Sequence, residues 1–238
     1  MSRDKSEQAS YYDERFRGVR CASLLALERT TSILDAILST KFEGPRIVDL
    51  GCGPGCLSNI LATFGPTVGV DFSPTAISDA RTRYPTVDYE SADIFTWNYQ
   101  RGAFDIVVSQ EVLEHVEDQP RYVEIAHDLL RHGGYLILTT PNAETMMAMT
   151  ERQRKEWTDQ PLEKWVTRSE LRTLLQRRFK ILRMTTIIHG MGARRSYRLA
   201  NSPKVQALMS GVGLGESFTR LRSRFGYGLH LVAVARKE

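Results

Sequence analysis

Val48-Asp49-Leu50-Gly51-Cys52-Gly53-Pro54-Gly55 (residues 48–55) carries a short apolar run into a glycine-rich turn, ahead of a helix-compatible stretch. Glycines at such a junction let the backbone turn tightly and come close to a ligand, and the helix that follows offers N–H groups without intrahelical partners. Strand, glycine turn and helix in that order open a doubly wound α/β fold. A dinucleotide fingerprint needs glycine at its sixth position. Here Cys56 stands in that place and an extra glycine, Gly55, comes one position early, which argues against a nicotinamide cofactor and a hydride-transfer enzyme.

Working outward, strand-like runs fall at 46–51, 67–72, 87–93, 104–110 and 134–141, separated by helix-compatible stretches. Strands alternating with helices predict a mostly parallel sheet. Upstream, residues 21–39 place Leu24, Leu27, Ile33, Leu34, Ile37 and Leu38 near helical spacing, and Gly44-Pro45 stops the pattern. Downstream, residues 143–157 read as one helix, 168–179 as a second opening at a Thr167 cap, and 180–190 as a strand. Residues 191–226 read as a small cap containing a short helix near 205–211, and 228–237 as the final strand. The 238 residues, 42% of them hydrophobic, suit one domain: a helical segment at 1–44, a core at 45–142 and a substrate-side half at 143–238.

The second strand ends at Asp71, about 20 residues past the first glycine, where a carboxylate can bind the two hydroxyls of a ribose. Asp93 closes the third strand, placed to accept from an adenine amino group while Ile94 packs on the ring. Cys21, Cys52 and Cys56 are too few and too unevenly spaced for a disulfide framework, and Cys52 and Cys56 read as small loop residues. No apolar run is long enough to span a bilayer and the opening residues are polar, so a cytoplasmic protein is expected. The formal net charge is +4, but residues 1–150 carry 13 Lys+Arg against 21 Asp+Glu, whereas 151–238 carry 19 against 7. A basic last third suits an acidic substrate, a membrane surface or nucleic acid, and equally a solvated cationic surface.

Val-Asp-Leu-Gly-Cys-Gly-Pro-Gly at 48–55, Val-Gly-Val-Asp at 68–71, Ser-Ala-Asp at 91–93, the run from Phe104 to Val116, and Leu129 to Asn142 together resemble a class I S-adenosylmethionine-dependent methyltransferase. The match covers roughly residues 45–142. It implies a Rossmann-like, doubly wound, mostly parallel seven-stranded sheet with an antiparallel last strand, N-terminal helices, and a cap before that strand. It also implies S-adenosyl-L-methionine as cofactor. Asp49, Gly51 and Gly53 would surround its methionine part, Asp71 with Phe72 the ribose, Asp93 and Ile94 the adenine, and Gln110 would lie beside the sulfonium. Tyr11, with Tyr12 and Asp13, is similar to a segment that closes over the cofactor in this family.

Methyl transfer is a displacement at a carbon already activated by sulfur, so the protein positions the acceptor and, for a hydroxyl, removes its proton. Glu111, Glu114 and His115 form E-x-x-E-H, a spacing that puts all three on one face if the segment is helical. Such a face can bind a divalent metal or supply a base, with a structural acid pair and a hydrogen-bonded histidine as the plain alternative. The triplet resembles ubiquinone-biosynthesis O-methyltransferases and small-RNA 3′-end 2′-O-methyltransferases, where a matching triplet is associated with a metal. The further histidine of the RNA enzymes is missing from residues 160–168. His189 and His230 border the edge where ligands bind in this family and are the other candidate bases, while His127 and His132 read as structural. Arg194, Arg195 and Arg198 suit a carboxylate or phosphate. A small-molecule hydroxyl is therefore the expected acceptor. RNA, a nitrogen or carbon acceptor, and a silent cofactor-binding protein are the alternatives. Nucleic acid is disfavoured for want of a binding module, and the sequence sets no oligomeric state.

Overall fold

The computed structural model describes residues 24–155, 162–189 and 195–238. Its centre is β1 (Ile47–Leu50), four successive buried residues, as expected of a strand covered on both faces. The strands that follow are β2 (Thr67–Asp71), β3 (Asp88–Ser91), β4 (Phe104–Gln110), β5 (Leu130–Pro141), β6 (Lys180–Ile187) and β7 (His230–Arg236). Their spatial order is β3-β2-β1-β4-β5-β7-β6. Strands β1 to β5 pair in parallel, and β7 runs antiparallel between β5 and β6. This is the expected doubly wound sheet with its antiparallel last strand. Strand order reverses between β1 and β4, and the crevice beyond their carboxyl ends is where such sheets bind ligands.

Alternation along the strands divides the core. Ile47, Ile106, Val108, Ile137 and Val234 pack against Ile33, Ala36 and Ile37 of the helix Leu24–Thr40. Val48, Leu50, Val107, Leu136 and Leu138 face the other layer, which includes Tyr122, Ile125 and Leu129 of the helix Gln119–Leu129 and Leu171 and Leu175 of the helix Arg168–Gln176. Leu27 and Leu38, expected on the apolar stripe of the first helix, are exposed instead. The stripe is narrower than the leucine count implies because only one helix face meets the sheet.

Other departures have local causes. Residues 143–157 do not make one helix among the described residues, but two short ones, Ala143–Ala148 and Glu151–Lys155. Strand β3 is a short edge strand, and beyond it the Asp93 carboxylate accepts from Phe95 N (3.0 Å), turning the chain away. Thr167 does cap the next helix, in a reciprocal capping box with Glu170. Residues 191–194 of the cap lie outside the described residues. From residue 195 the segment holds helices Arg195–Ala200, Pro203–Gly211 and Gly215–Phe225. No helix among the described residues is long and apolar enough to cross a membrane.

Candidate functional site

The glycine turn lies against the residues that follow β4. Gly51 has φ 70°, and a Cβ there would stand 2.4 Å from Cγ2 of Val112, so a side chain is excluded by both conformation and space. The turn and the next strand are joined through Asp71, whose carboxylate accepts from Gly53 N and Ser73 N, both at 2.9 Å. Asp49, 1% exposed, accepts from the Ser58 hydroxyl at 2.7 Å. Burial pushes its pKa up to about 7; the Ser58 bond opposes that rise, and the Asp71 charge adds to it. Cys52 is a buried free thiol that burial and the two carboxylates hold protonated. Cys56 is disulfide-bonded, so the reading of both as plain loop residues holds only for Cys52. Asp93 and Ile94 are half-buried and Phe72 is exposed at the same sheet edge. Tyr11 lies outside the described residues.

The E-x-x-E-H segment departs from the expected helix. Glu111 takes a left-handed φ of 57°, a conformation that costs a non-glycine residue about 1–3 kcal/mol. Only Leu113–His115 coils, as one 3-10 turn. The three side chains therefore do not share a helix face: the reversal at Glu111 throws its carboxylate toward β5 and β7. There it meets Nε2 of His230 at 2.7 Å, accepts from Oγ1 of Thr139 at 2.9 Å, and lies 3.7 Å from the Arg29 guanidinium. Burial alone would raise its pKa. His230 first, then Arg29 and the Thr139 bond outweigh burial and hold Glu111 ionised, below its ordinary value.

Glu114 turns inward. It is 2% exposed and accepts from Oγ1 of Thr140 at 2.9 Å, and burial, followed by the nearby Glu111 charge, raises its pKa well above the usual carboxylate range. His115 Nδ1 lies 2.8 Å from the carbonyl of Leu162, which can only accept, so Nδ1 carries the proton. Its Nε2 faces Oε1 of Glu114 at 3.5 Å. Glu111 and Glu114 thus work with different partners. Among the described residues no group of three carboxylate, imidazole or thiol side chains is arranged to hold a metal ion, and a guanidinium stands beside one of the expected ligands. As placed here, Glu111, Glu114 and His115 do not fit a metal centre.

His230 opens β7 opposite Pro141 of β5 and Ile187 of β6, on the predicted edge. His189 instead meets the Ser223 hydroxyl at 3.3 Å, and burial together with the Arg222 charge pushes its pKa down to about 4, too low for an effective base at neutral pH. His127 packs edge-on against Phe179. Arg194 and the side chains of Arg195 and Arg198 lie outside what the structure describes. At the end of β4, Oε1 of Gln110 is buried with no hydrogen-bond partner among the described residues. Arg29, Thr139, Thr140 and Ser58 were not singled out from the sequence. The Thr-Thr pair just before Pro141, at a strand's carboxyl end, was the one available signal.

A family model described as a methyltransferase domain matches residues 20–179. A ubiquinone biosynthesis O-methyltransferase of Cereibacter sphaeroides is 31% identical over 153 residues, 57% of this chain and 60% of that protein. A trans-aconitate 2-methyltransferase of Variovorax paradoxus is 37% identical over 103 residues, 42% and 40% of the two chains. The chain thus spans about 60% or less of the curated relatives cited here. An N-methyltransferase of Bradyrhizobium japonicum, solved with S-adenosyl-l-homocysteine, superposes with a TM-score of 0.66 at 17% identity, covering 97% of this chain and 98% of that one, a likeness of fold alone.

Proposed function

The chain belongs to the methyltransferase-domain family, and from that premise we propose that it transfers a methyl group from S-adenosylmethionine to a hydroxyl oxygen of a small molecule. The observation that carries this reading is the Asp71 carboxylate, bonded to the glycine turn on one side and to Ser73 on the other. Each oxygen accepts one backbone N–H, which fixes the carboxylate's orientation at the strand end where a ribose would lie. Asp93 and Ile94 would hold the adenine, Asp49 the cationic amino group, and Gln110 would offer its buried acceptor to the methionine part. S-adenosylmethionine supplies a methyl carbon already activated by its positive sulfur. The protein aligns the acceptor oxygen with that carbon and takes its proton on Nε2 of His115, whose tautomer Leu162 sets. The Glu111–His230–Arg29 group would form the wall behind that oxygen.

Asp71→Ala is expected to weaken S-adenosylhomocysteine binding by about 1.5–3 kcal/mol, roughly 10- to 150-fold, in calorimetry on protein whose fold is checked by circular dichroism. Unchanged affinity would remove the ribose assignment. Tritium transfer from labelled cofactor into a metabolite extract tests turnover itself.

Asp49 makes cofactor binding depend on pH. Its folded pKa of about 7 lies above the ordinary 3.8, so in the cofactor-free protein it binds protons more tightly than in the unfolded chain, and that contribution to stability fades as pH rises from about 4 to 7. A cationic amino group favours the ionised form. Binding is therefore expected to release a proton near pH 6 and to weaken up to about tenfold per unit below pH 7. Calorimetry in buffers of different ionisation enthalpy reads that proton, and Asp49→Asn should abolish it.

A further inference from the structure

Arg222 lies on the cap helix Gly215–Phe225 and is 6% exposed. Its neighbour Arg220 pairs with Glu216 in the ordinary surface manner. Among the described residues Arg222 has only neutral hydrogen-bond acceptors: the Ala200 carbonyl and the Asn201 side-chain oxygen, both 3.4 Å from Nη1, and the Thr219 hydroxyl, 3.3 Å from Nη2. All three are long for hydrogen bonds. Its Nε is buried and has no partner among the described residues. Phe218 stacks under the guanidinium at 5.1 Å, covering one face and leaving the Nε edge for a planar partner. Burial draws its pKa down, the direction taken by a cation without a counterion. A buried guanidinium this poorly compensated is costly unless an anion completes it.

The helix is tied to the edge that bears the reaction centre. Ser223 O accepts from Oγ1 of Thr186, the Ser223 hydroxyl meets His189, and Thr186 immediately precedes Ile187, which pairs with His230. The net positive charge of residues 151–238 has the matching sign. We propose that the methyl acceptor carries an oxyanion, a carboxylate or a phosphate, and that Arg222 receives it through Nε and one Nη while the reacting hydroxyl faces His115. This rests on the methyl-transfer reading above and names the substrate class of the same site.

The test uses protein saturated with S-adenosylhomocysteine, the side-chain Nε–H resonance of Arg222 (identified by its absence in Arg222→Gln), and three probes: benzoate, phenyl phosphate and neutral benzamide. Benzoate or phenyl phosphate should shift that resonance and benzamide should not. Arg222→Gln should weaken the oxyanion by about tenfold or more, and Arg222→Lys by less, with S-adenosylhomocysteine affinity retained. A response to benzoate alone specifies a carboxylate acceptor, to phenyl phosphate alone a phosphate acceptor, and to both the shared oxyanion. If neither oxyanion differs from benzamide in the wild-type protein, the assignment is overturned, whether or not the glutamine variant folds. Failure of S-adenosylhomocysteine to bind overturns the methyl-transfer reading instead, and the two failures are separately visible.

Discussion

Replacing His115 with alanine is expected to lower methyl transfer by about 10²–10⁴-fold while cofactor affinity stays within about twofold. The reason is positional. Val112 fills the space beside Gly51, and His115 N donates to the Val112 carbonyl, which ties the His115 main chain to the residue packed on the glycine turn. The His115 Nδ1 proton is committed to Leu162, so the basic nitrogen is Nε2, which lies 3.5 Å from Oε1 of Glu114. The loss should appear in kcat, measured with labelled cofactor at saturation. Because Glu111 is engaged by Arg29 and His230, neither added Mg²⁺ nor a chelator should change the rate. Full activity in the alanine variant would remove the base assignment. Activity abolished by chelation and restored by Mg²⁺ would return the triplet to metal binding.

Gly228→Val is expected to cost more than about 4 kcal/mol of folding stability, read as loss of a cooperative transition or a large fall in the denaturant midpoint. A Cβ at Gly228 would stand 2.4 Å from the Ile187 carbonyl oxygen and 2.7 Å from the Ile187 nitrogen, both main-chain atoms of a paired strand. Neither can rotate away as a side chain would. The same residue donates to Thr186 and accepts from Asn142 and Thr145, so displacement there also strands buried polar groups at the entry to β7. A variant as stable as the parent would show this corner to be far softer than its packing implies.

The parallel half of the sheet was legible because buried strands write themselves as apolar runs, and the glycine turn because only glycine tolerates the approach made at Gly51. Asp71 stood out from its place at a strand end, whereas Asp49 was singled out only through the family resemblance of residues 48–55. The E-x-x-E-H pattern misled through its periodicity: spacings of three and four imply a common face only where the backbone is helical, and the left-handed Glu111 breaks that premise. Arg29 was illegible for a different reason. It contacts His230 across 201 positions of sequence, and one arginine on an amphipathic helix carries no sign of which distant acid it will meet. Glu114 illustrates the same limit, since the first cause of its proton retention is burial by tertiary packing, with the nearby Glu111 charge second.

Strand β7 follows β6 in the chain but lies between β5 and β6. A chain leaving the ribosome completes β1 to β5 first, yet β6 has no sheet partner until β7 has also been made. Throughout that interval the outer edge of β5 presents unpaired backbone groups, and Glu111 stands without the imidazole it later meets. The order of synthesis thus separates two events, formation of the cofactor half and assembly of the charged acceptor wall. A ribosome paused before residue 230 would carry a half-sheet without His230, open at one edge to chaperones or to another nascent chain.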